Sequence, residues 1–272
     1  MDSANLVTEA LTNGAFFLGR SWTRYLVVCG GAFVLFWVVF KERFAHRRIQ
    51  RQNPERRTLL SEFRNSLLGI IFFLLPSVLS TPLYLSGHMK LITDPSATSP
   101  AMIALSFVLF VIGADTWFYW THRGMHHSNV YRFTHELHHR SKQPSPLAGY
   151  AFSAIEGFVL GLYLPLVLLV FPVNRVMLWI FVFWFTFLEA YVHLGFEVLP
   201  RWIARNPVTK FLGTAVFHDM HHENGAYNFG VYFTWWDRMM GTIHPQYTER
   251  YEQVTEQRLL WRAPVDGVED SV

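Results

Sequence analysis

Cysteine is almost absent from this chain. Cys29 is the only one in 272 residues, and it sits inside an apolar run. A single thiol supports neither a disulfide framework nor a cysteine-based zinc site. Charge is also sparse, at 16% of residues against 51% hydrophobic ones. Together with a positive mean hydropathy, that argues against an ordinary soluble domain. The N-terminus has no basic stretch leading into a short apolar core and cleavage site, so no removable signal peptide is expected. No repeat at a solenoid period and no low-complexity tract is present.

The net charge is only +3, but basic residues gather in one place. Residues 41–57 hold Lys41, Arg43, Arg47, Arg48, Arg51, Arg56 and Arg57. Such a run can bind nucleic acid. Directly after an apolar segment it instead marks the cytoplasmic flank of a membrane helix, and that reading is preferred here.

The apolar residues fall in long runs, and a helix needs about 20 of them to cross a bilayer core. Five segments qualify as spanning or deeply embedded: Tyr25–Phe40 (extended back by Trp22), Ser66–Leu85 (with Pro76 and Pro82), Ala101–Trp120, Ile155–Phe171 (with Pro165) and Val176–Leu194. The last two are joined by the short turn Phe171–Arg175 and predict a membrane hairpin. With loop 41–57 in the cytoplasm, alternating the segments brings residues 121–145 and 197–272 to that same side. The expected fold is therefore all-α: an integral membrane bundle of four to five helices under a cytosolic helical cap. Residues Asp266–Val272 read as a frayed tail.

Histidine is where the chemistry lies. Ten of the 13 histidines form three clusters and one isolated position. The clusters are His122-Arg-Gly-Met-His126-His127, His135-Glu-Leu-His138-His139 and His218-Asp-Met-His221-His222; the isolated residue is His193. Residues three or four apart share a helical face, so each cluster offers a chelating surface. Neutral imidazole suits iron, zinc, copper and nickel. Eight or nine imidazoles exceed what one octahedral ion takes, so two ions are expected. Soluble di-iron bundles carry a Glu-x-x-His motif on each of two helices; that paired pattern is absent here. His126 keeps the i,i+4 register with His122; His127 is its adjacent alternative, so the metal candidates are His122, His126, His127, His135, His138, His139, His193, His218, His221 and His222. His46 and His88 read as loop residues, and His244 is left open. A ligating imidazole donates its other N–H to a carboxylate or carbonyl. Asp115, seven residues before His122, and Glu189, four before His193, are the favoured partners, because a buried charge in an apolar helix is costly without a role. Glu136, Glu156, Glu197 and Asp219 are weaker candidates.

At these residues the chain resembles the fatty acid hydroxylase/sterol desaturase superfamily, over roughly residues 105–245. The motifs are Asp115-Thr-Trp-Phe-Tyr-Trp-Thr-His122-Arg123, the two His-x-x-His-His boxes, Asn228-Phe229-Gly230 and Trp236-Asp237-Arg238-Met-Met-Gly241-Thr242. The stretch His139-Arg-Ser-Lys-Gln-Pro-Ser-Pro resembles the C-5 sterol desaturase branch. The resemblance implies two non-heme iron ions, O2, a lipid substrate from the bilayer, and electrons from a separate cytochrome b5- or ferredoxin-type donor. It implies hydroxylation or desaturation in lipid or sterol biosynthesis, at an endoplasmic reticulum or bacterial inner membrane. The ligands it implies are His122, His126, His135, His138, His139, His193, His218, His221 and His222. Two departures stand out: the adjacent histidines of the first cluster, and Glu197 where some relatives carry a further histidine. The chain then divides into an N-terminal helix with its basic loop (1–60), a catalytic domain (61–245) and a cytosolic tail (246–272). Trp117, Tyr119, Trp120, Trp179 and Trp184 are candidates to line a lipid path or simply to pack. The competing reading is a membrane metal-binding or metal-transport protein without oxidative activity, which would need polar groups through the membrane midplane. A scaffold holding structural zinc is the third.

Overall fold

The computed structural model describes residues 3–50 and 52–260; Arg51 and the expected frayed tail Asp266–Val272 lie outside the described residues. Helix α1 (Ser3–Tyr25) passes into π-helical turns at Leu26–Gly30 and Val34–Val39, with the short α2 (Gly31–Phe33) between them. Next come α3 (Arg56–Leu79), α4 (Thr81–Leu85), β1 (Leu91–Ile92), α5 (Pro100–Met125), α6 (Tyr131–Thr134) and α7 (Glu136–His139). The remainder is α8 (Ala154–Gly161), α9 (Tyr163–Val170), β2 (Val173–Asn174), α10 (Arg175–Val192), α11 (Ala215–Glu223), α12 (Trp235–Met240) and α13 (Tyr247–Leu260).

Among the described residues, four helical stretches are long and apolar enough to cross a membrane: Thr8–Val39, Arg56–Leu85, Pro100–Met125 and Arg175–Val192. Leu109, Phe183 and Phe187 on them are more than half exposed, an outward apolar surface that suits lipid rather than water. The first span starts well before the expected Tyr25. Its early part carries Arg20 and Arg24, which break the apolar run but find partners on α10. Arg20 lies 3.9 Å over the Trp179 ring, and Arg24 Nε donates to Thr186 Oγ1 at 2.9 Å. The predicted hairpin forms, with a short first arm. Ala154–Val170 splits into α8 and α9, and at 1.5 Å per residue its length is about 25 Å, less than a bilayer core.

Local chemistry fixes several helix starts. Ser99 caps α5 by accepting from Met102 N–H at 3.3 Å, with Pro100 in the first turn. Asn174 caps α10 through Val176 N–H at 2.8 Å, and Thr214 caps α11 through Phe217 N–H at 3.1 Å. Ser153 and Glu156 form a capping box on α8. Helix α3 lies directly against α8. The approach is so close that a Cβ at Gly161 would land on the Phe73 carbonyl, and one at Gly69 on that of Tyr150.

The core has three parts. Tyr25, Phe118, Tyr150, Phe152, Phe185 and Tyr232 fill the bundle beneath the histidines. At the far end, Phe110, Leu168 and Met177 pack together near the parallel β1–β2 pair, Leu91 opposite Val173. The cap has its own core of Ile49, Ile203, Val216, Phe217, Tyr247 and Tyr251. The basic loop is tied to this end: Glu197 N–H donates to Arg47 O at 2.9 Å, and Trp37 Nε1 donates to Leu194 O at 2.8 Å.

Candidate metal centre

Nine imidazoles from four chain segments meet where the bundle joins the cap. They divide into two groups. His122, His126, His135, His139 and His221 form one; His138, His193, His218 and His222 form the other. In each group the ligand atoms lie within 4.8 Å of one another. All are buried except His126, which is partly exposed.

The division follows helix geometry. His135 and His139 are i,i+4 and stay together, as do His218 and His222, and His122 and His126. The third member of each His-x-x-His-His box crosses over. His138 joins His218 and His222, while His221 joins His135 and His139. Adjacent residues on a helix point about 100° apart, so each box serves both groups. The expectation that each cluster offers a single chelating surface is thereby corrected. His135 sits at the junction of α6 and α7 with φ −124°, which turns it toward His122.

Backbone carbonyls set the rings. His122 Nδ1–H donates to Phe229 O at 2.7 Å, His221 Nδ1–H to Tyr227 O at 2.6 Å, His222 Nδ1–H to Ser141 O at 2.9 Å and His193 Nδ1–H to Glu189 O at 2.9 Å. A carbonyl only accepts, so each of these Nδ1 atoms carries the proton and each neutral ring presents a bare Nε2 lone pair. Two such lone pairs belong to each group. They point at other ring nitrogens: His122 Nε2 is 2.8 Å from His135 Nε2, His221 Nε2 is 2.9 Å from His139 Nε2 and 3.1 Å from His126 Nε2, and His193 Nε2 is 3.0 Å from His218 Nε2. Burial, with the neighbouring imidazoles second, keeps the rings uncharged. It pushes His126 down to about 2 and His139 to about 3, and holds His218 and His221 well below the usual imidazole range. His193 falls to about 4 through burial. Converging lone pairs on neutral, buried rings suit a transition-metal cation, and the donor set of each group is consistent with metal binding.

Carboxylates play other parts than expected. Asp115 bonds no histidine; its Oδ1 accepts from Phe233 N–H at 3.1 Å, pinning the strand-like segment beside α5. The Glu189 carboxylate lies 3.7 Å from His193 Nδ1, while its own carbonyl takes the hydrogen bond. Glu156 is closer than either, with Oε1 2.7 Å from His135 Nδ1 and Oε2 accepting from Ser153 N–H at 3.3 Å. Its i+3 spacing from Ser153 signals the cap but not the imidazole. Glu197, in the place of a further histidine, is no ligand. It accepts from Leu199 N–H at 3.0 Å and Val216 N–H at 3.1 Å, anchoring the start of α11, and burial raises it to about 7.

Asp237 organises the loop that carries two of the orienting carbonyls. It accepts from Phe229 N–H at 2.9 Å, Gly230 N–H at 2.8 Å and the Thr242 hydroxyl at 2.7 Å. Asn228, at φ 59°, turns this loop and donates to Phe217 O at 2.9 Å. The sequence motif contained both residues without revealing that use. His127 is a correction. Helix α5 ends at Met125, and His127 lies past that end, exposed, outside both groups. His46, His88 and His244 join neither group. The aromatics proposed for a lipid path are engaged in packing: Trp117 Nε1 donates to Val159 O at 3.1 Å, Trp184 stacks on Tyr232 and Trp120 meets Trp236 edge-on.

Comparison with known proteins agrees with this architecture. The fatty acid hydroxylase family model matches residues 107–242, which runs from α5 through α12. The chain is 28% identical over 257 residues to a Delta(7)-sterol 5(6)-desaturase of Gibberella zeae, covering 91% of this chain and 67% of that protein. It is 30% identical over 235 residues to methylsterol monooxygenase 1 of Danio rerio, covering 84% and 76%. It is 36% identical over 177 residues to lathosterol oxidase of Mus musculus, covering 63% and 56%. No solved structure matches. With motif order, helical anchor and relatives in agreement, the chain belongs to the fatty acid hydroxylase family, in its C-5 sterol desaturase-like branch, and is a membrane oxidoreductase.

Proposed function

We propose that the protein is a non-heme di-iron oxygenase that hydroxylates or desaturates a sterol- or fatty acyl-type lipid with O2 and electrons from a separate donor of cytochrome b5 or ferredoxin type. The observation carrying this reading is the pair of imidazole groups with converging, unprotonated Nε2 atoms. Iron is favoured over zinc at the five-imidazole group, where five nitrogen donors exceed a tetrahedral set. The relatives named above act on sterols by name, which favours a sterol over a free fatty acid.

Iron held at these groups would supply O2 activation for attack on an unactivated C–H bond. The chain does the rest. His122, His126, His135, His139 and His221 would hold one ion, and His138, His193, His218 and His222 the other. The carbonyls of Phe229, Tyr227, Ser141 and Glu189 lock ring tautomer and direction, with the carboxylates of Glu156 and Glu189 alongside and Asp115 fixing the segment at Phe233. The aromatic floor beneath, including Phe118, Phe152 and Tyr232, excludes water and faces the side from which a bilayer lipid would come. The basic residues Arg43, Arg47, Arg48, Arg56 and Arg57 share the metal-bearing end, which favours a cytoplasm-facing centre.

The test is purified protein in lipid nanodiscs, supplied with Fe(II), a reductant system and a Δ7-sterol. Two irons per chain and O2-dependent sterol oxidation are expected. His138→Ala and His221→Ala, one from each group, should each abolish turnover. Metal uptake without oxidation of any supplied lipid would favour the metal-binding alternative, and full turnover in either variant would refute the site.

A further inference from the structure

A cavity of about 210 Å³ opens on the outer side of the histidine shell. Exposed Arg57 and Arg140 stand at its mouth, Ser61 lines its wall, and Glu62, Ser141 and His138 close its inner end. Those inner three are at most 4% exposed. The cavity has room for roughly seven waters at about 30 Å³ each.

Two polar groups meet at the inner end. Glu62 is a buried carboxyl on α3; it takes hydrogen bonds from Ser141 and, at 2.5 Å, from Ser145, and contributes nothing to the cap of α3. His138 and His218 each have a buried Nδ1 with no partner in the protein, whereas four other rings of the centre have theirs held by carbonyls; of the two, His138 lines the cavity. Water in the cavity would accept from the His138 Nδ1–H and reach the Glu62 carboxyl.

The oxidation proposed above consumes protons. Hydroxylation runs as RH + O2 + 2e− + 2H+ → ROH + H2O: one oxygen atom enters the new C–O bond and the other leaves as water. Desaturation takes two hydrogens from adjacent carbons, uses the same electrons and protons, and leaves two waters. The electrons come from the one-electron donor protein and the protons from bulk water. Eight of the nine rings are buried and four are tied to carbonyls, so a polar inlet beside them would serve this proton supply. We propose that this cavity is the water-filled inlet through which solvent protons approach the metal centre, with Glu62 as the relaying carboxyl at its inner end. The inference rests on the oxygenase reading, and it makes Glu62 a positioning residue that acts through water.

The test uses full-length protein in phosphatidylcholine nanodiscs and two variants. Ser61→Phe plugs the cavity from its wall; Glu62→Gln removes the exchangeable proton and keeps the shape. Mn(II) bound per chain and the longitudinal relaxation of bulk-water protons by that Mn(II) are measured without turnover. Then kcat, KM, the solvent deuterium effect and the share of electrons ending in hydrogen peroxide are measured with iron. Both variants should bind metal like the wild type. Ser61→Phe should reduce the Mn(II) effect on water relaxation, and Glu62→Gln should not. Both should lower kcat by roughly 100-fold, the lower end for a lost proton-transfer group, with KM unchanged and more peroxide, and Glu62→Asp should restore most of the rate. Metal-loaded Glu62→Gln with wild-type kcat and isotope effect, or unchanged water relaxation in Ser61→Phe, overturns the inlet alone. A wild-type chain that takes up no metal overturns the inlet and the oxygenase reading together.

Discussion

Asp237→Asn should weaken metal binding at the five-imidazole group and leave the four-imidazole group unchanged. The Asp237 carboxylate holds three donors, two of them the backbone N–H groups of Phe229 and Gly230. An asparagine has one acceptor oxygen where the carboxylate has two, so its NH2 must face a donor. One buried N–H is then left unpaired, at a cost of about 1–3 kcal/mol, and the remaining bonds lose their charge assistance, so the loss of stability is roughly 2–4 kcal/mol. The damage is local to the loop that supplies Phe229 O to His122 and Tyr227 O to His221. Both rings belong to the five-imidazole group. The four-imidazole group takes its carbonyls from Ser141 and Glu189, on the other side of the centre. Losing an orienting partner lowers metal affinity by roughly 10- to 100-fold. Titration of the metal-free protein in nanodiscs with Co(II), followed by visible absorption and elemental analysis, should therefore show two comparable steps in the wild type. In the variant one step should be weakened and one unchanged. Two unchanged steps would refute the role of Asp237, and equal weakening of both with the fold intact would refute the division into groups.

Three further outcomes follow from the same geometry. His126→Ala should reduce bound metal toward one per chain while His127→Ala keeps two, read by elemental analysis; a loss in His127→Ala alone would reverse the assignment. Gly225→Ala places a Cβ 2.8 Å from His126 Cε1, so it should weaken the five-imidazole group without removing a ligand, visible as a shifted Co(II) spectrum. The metal-free protein should lose stability as pH falls from about 6.5 toward 4, measured by denaturant unfolding at stepped pH. His126, His139 and His193 have folded values of about 2, 3 and 4, below the free imidazole. The unfolded chain therefore binds the extra protons, at up to about 1.4 kcal/mol per pH unit for each ring. Buried carboxyls pull the other way, Glu197 and Asp219 among them at about 7 and 8, but the nine imidazoles of the centre outnumber them. Stability that rises on acidification would show the rings to be charged in the fold.

The apolar runs made the membrane anchor legible, because a bilayer tolerates little else over 20 residues. They misplaced its start, since a run-based reading stops at Arg24 and Arg20. Whether a charged side chain is tolerated in a span depends on what faces it, and Trp179 and Thr186 lie more than 150 positions away in sequence. The same limit governs the carboxylates. Asp115 and Glu189 stood at helical spacings from a histidine, so each looked like its partner. Position along one helix says nothing about the backbone N–H that a loop more than 100 residues later presents, and Phe233 took Asp115.

The histidines show why spacing found the ligands but not their grouping. An i,i+4 pair can chelate one ion from a single turn, so His135 with His139 and His218 with His222 are readable as pairs. The residue between, His138 or His221, is rotated about 100° from its neighbour and can only be used by a second ion placed across the helix. Two boxes of the same form that face each other satisfy both requirements: each pair anchors one group and lends its odd member to the other. This exchange needs the boxes in contact, and α11 is brought to α7 by Glu197 at its start, by Asn228, and by Ser141, whose carbonyl directs His222. A carbonyl has no sequence identity. Any residue at position 141 would present one, so no motif marks it, and the side chain that evolution could have signalled there is turned instead to Glu62.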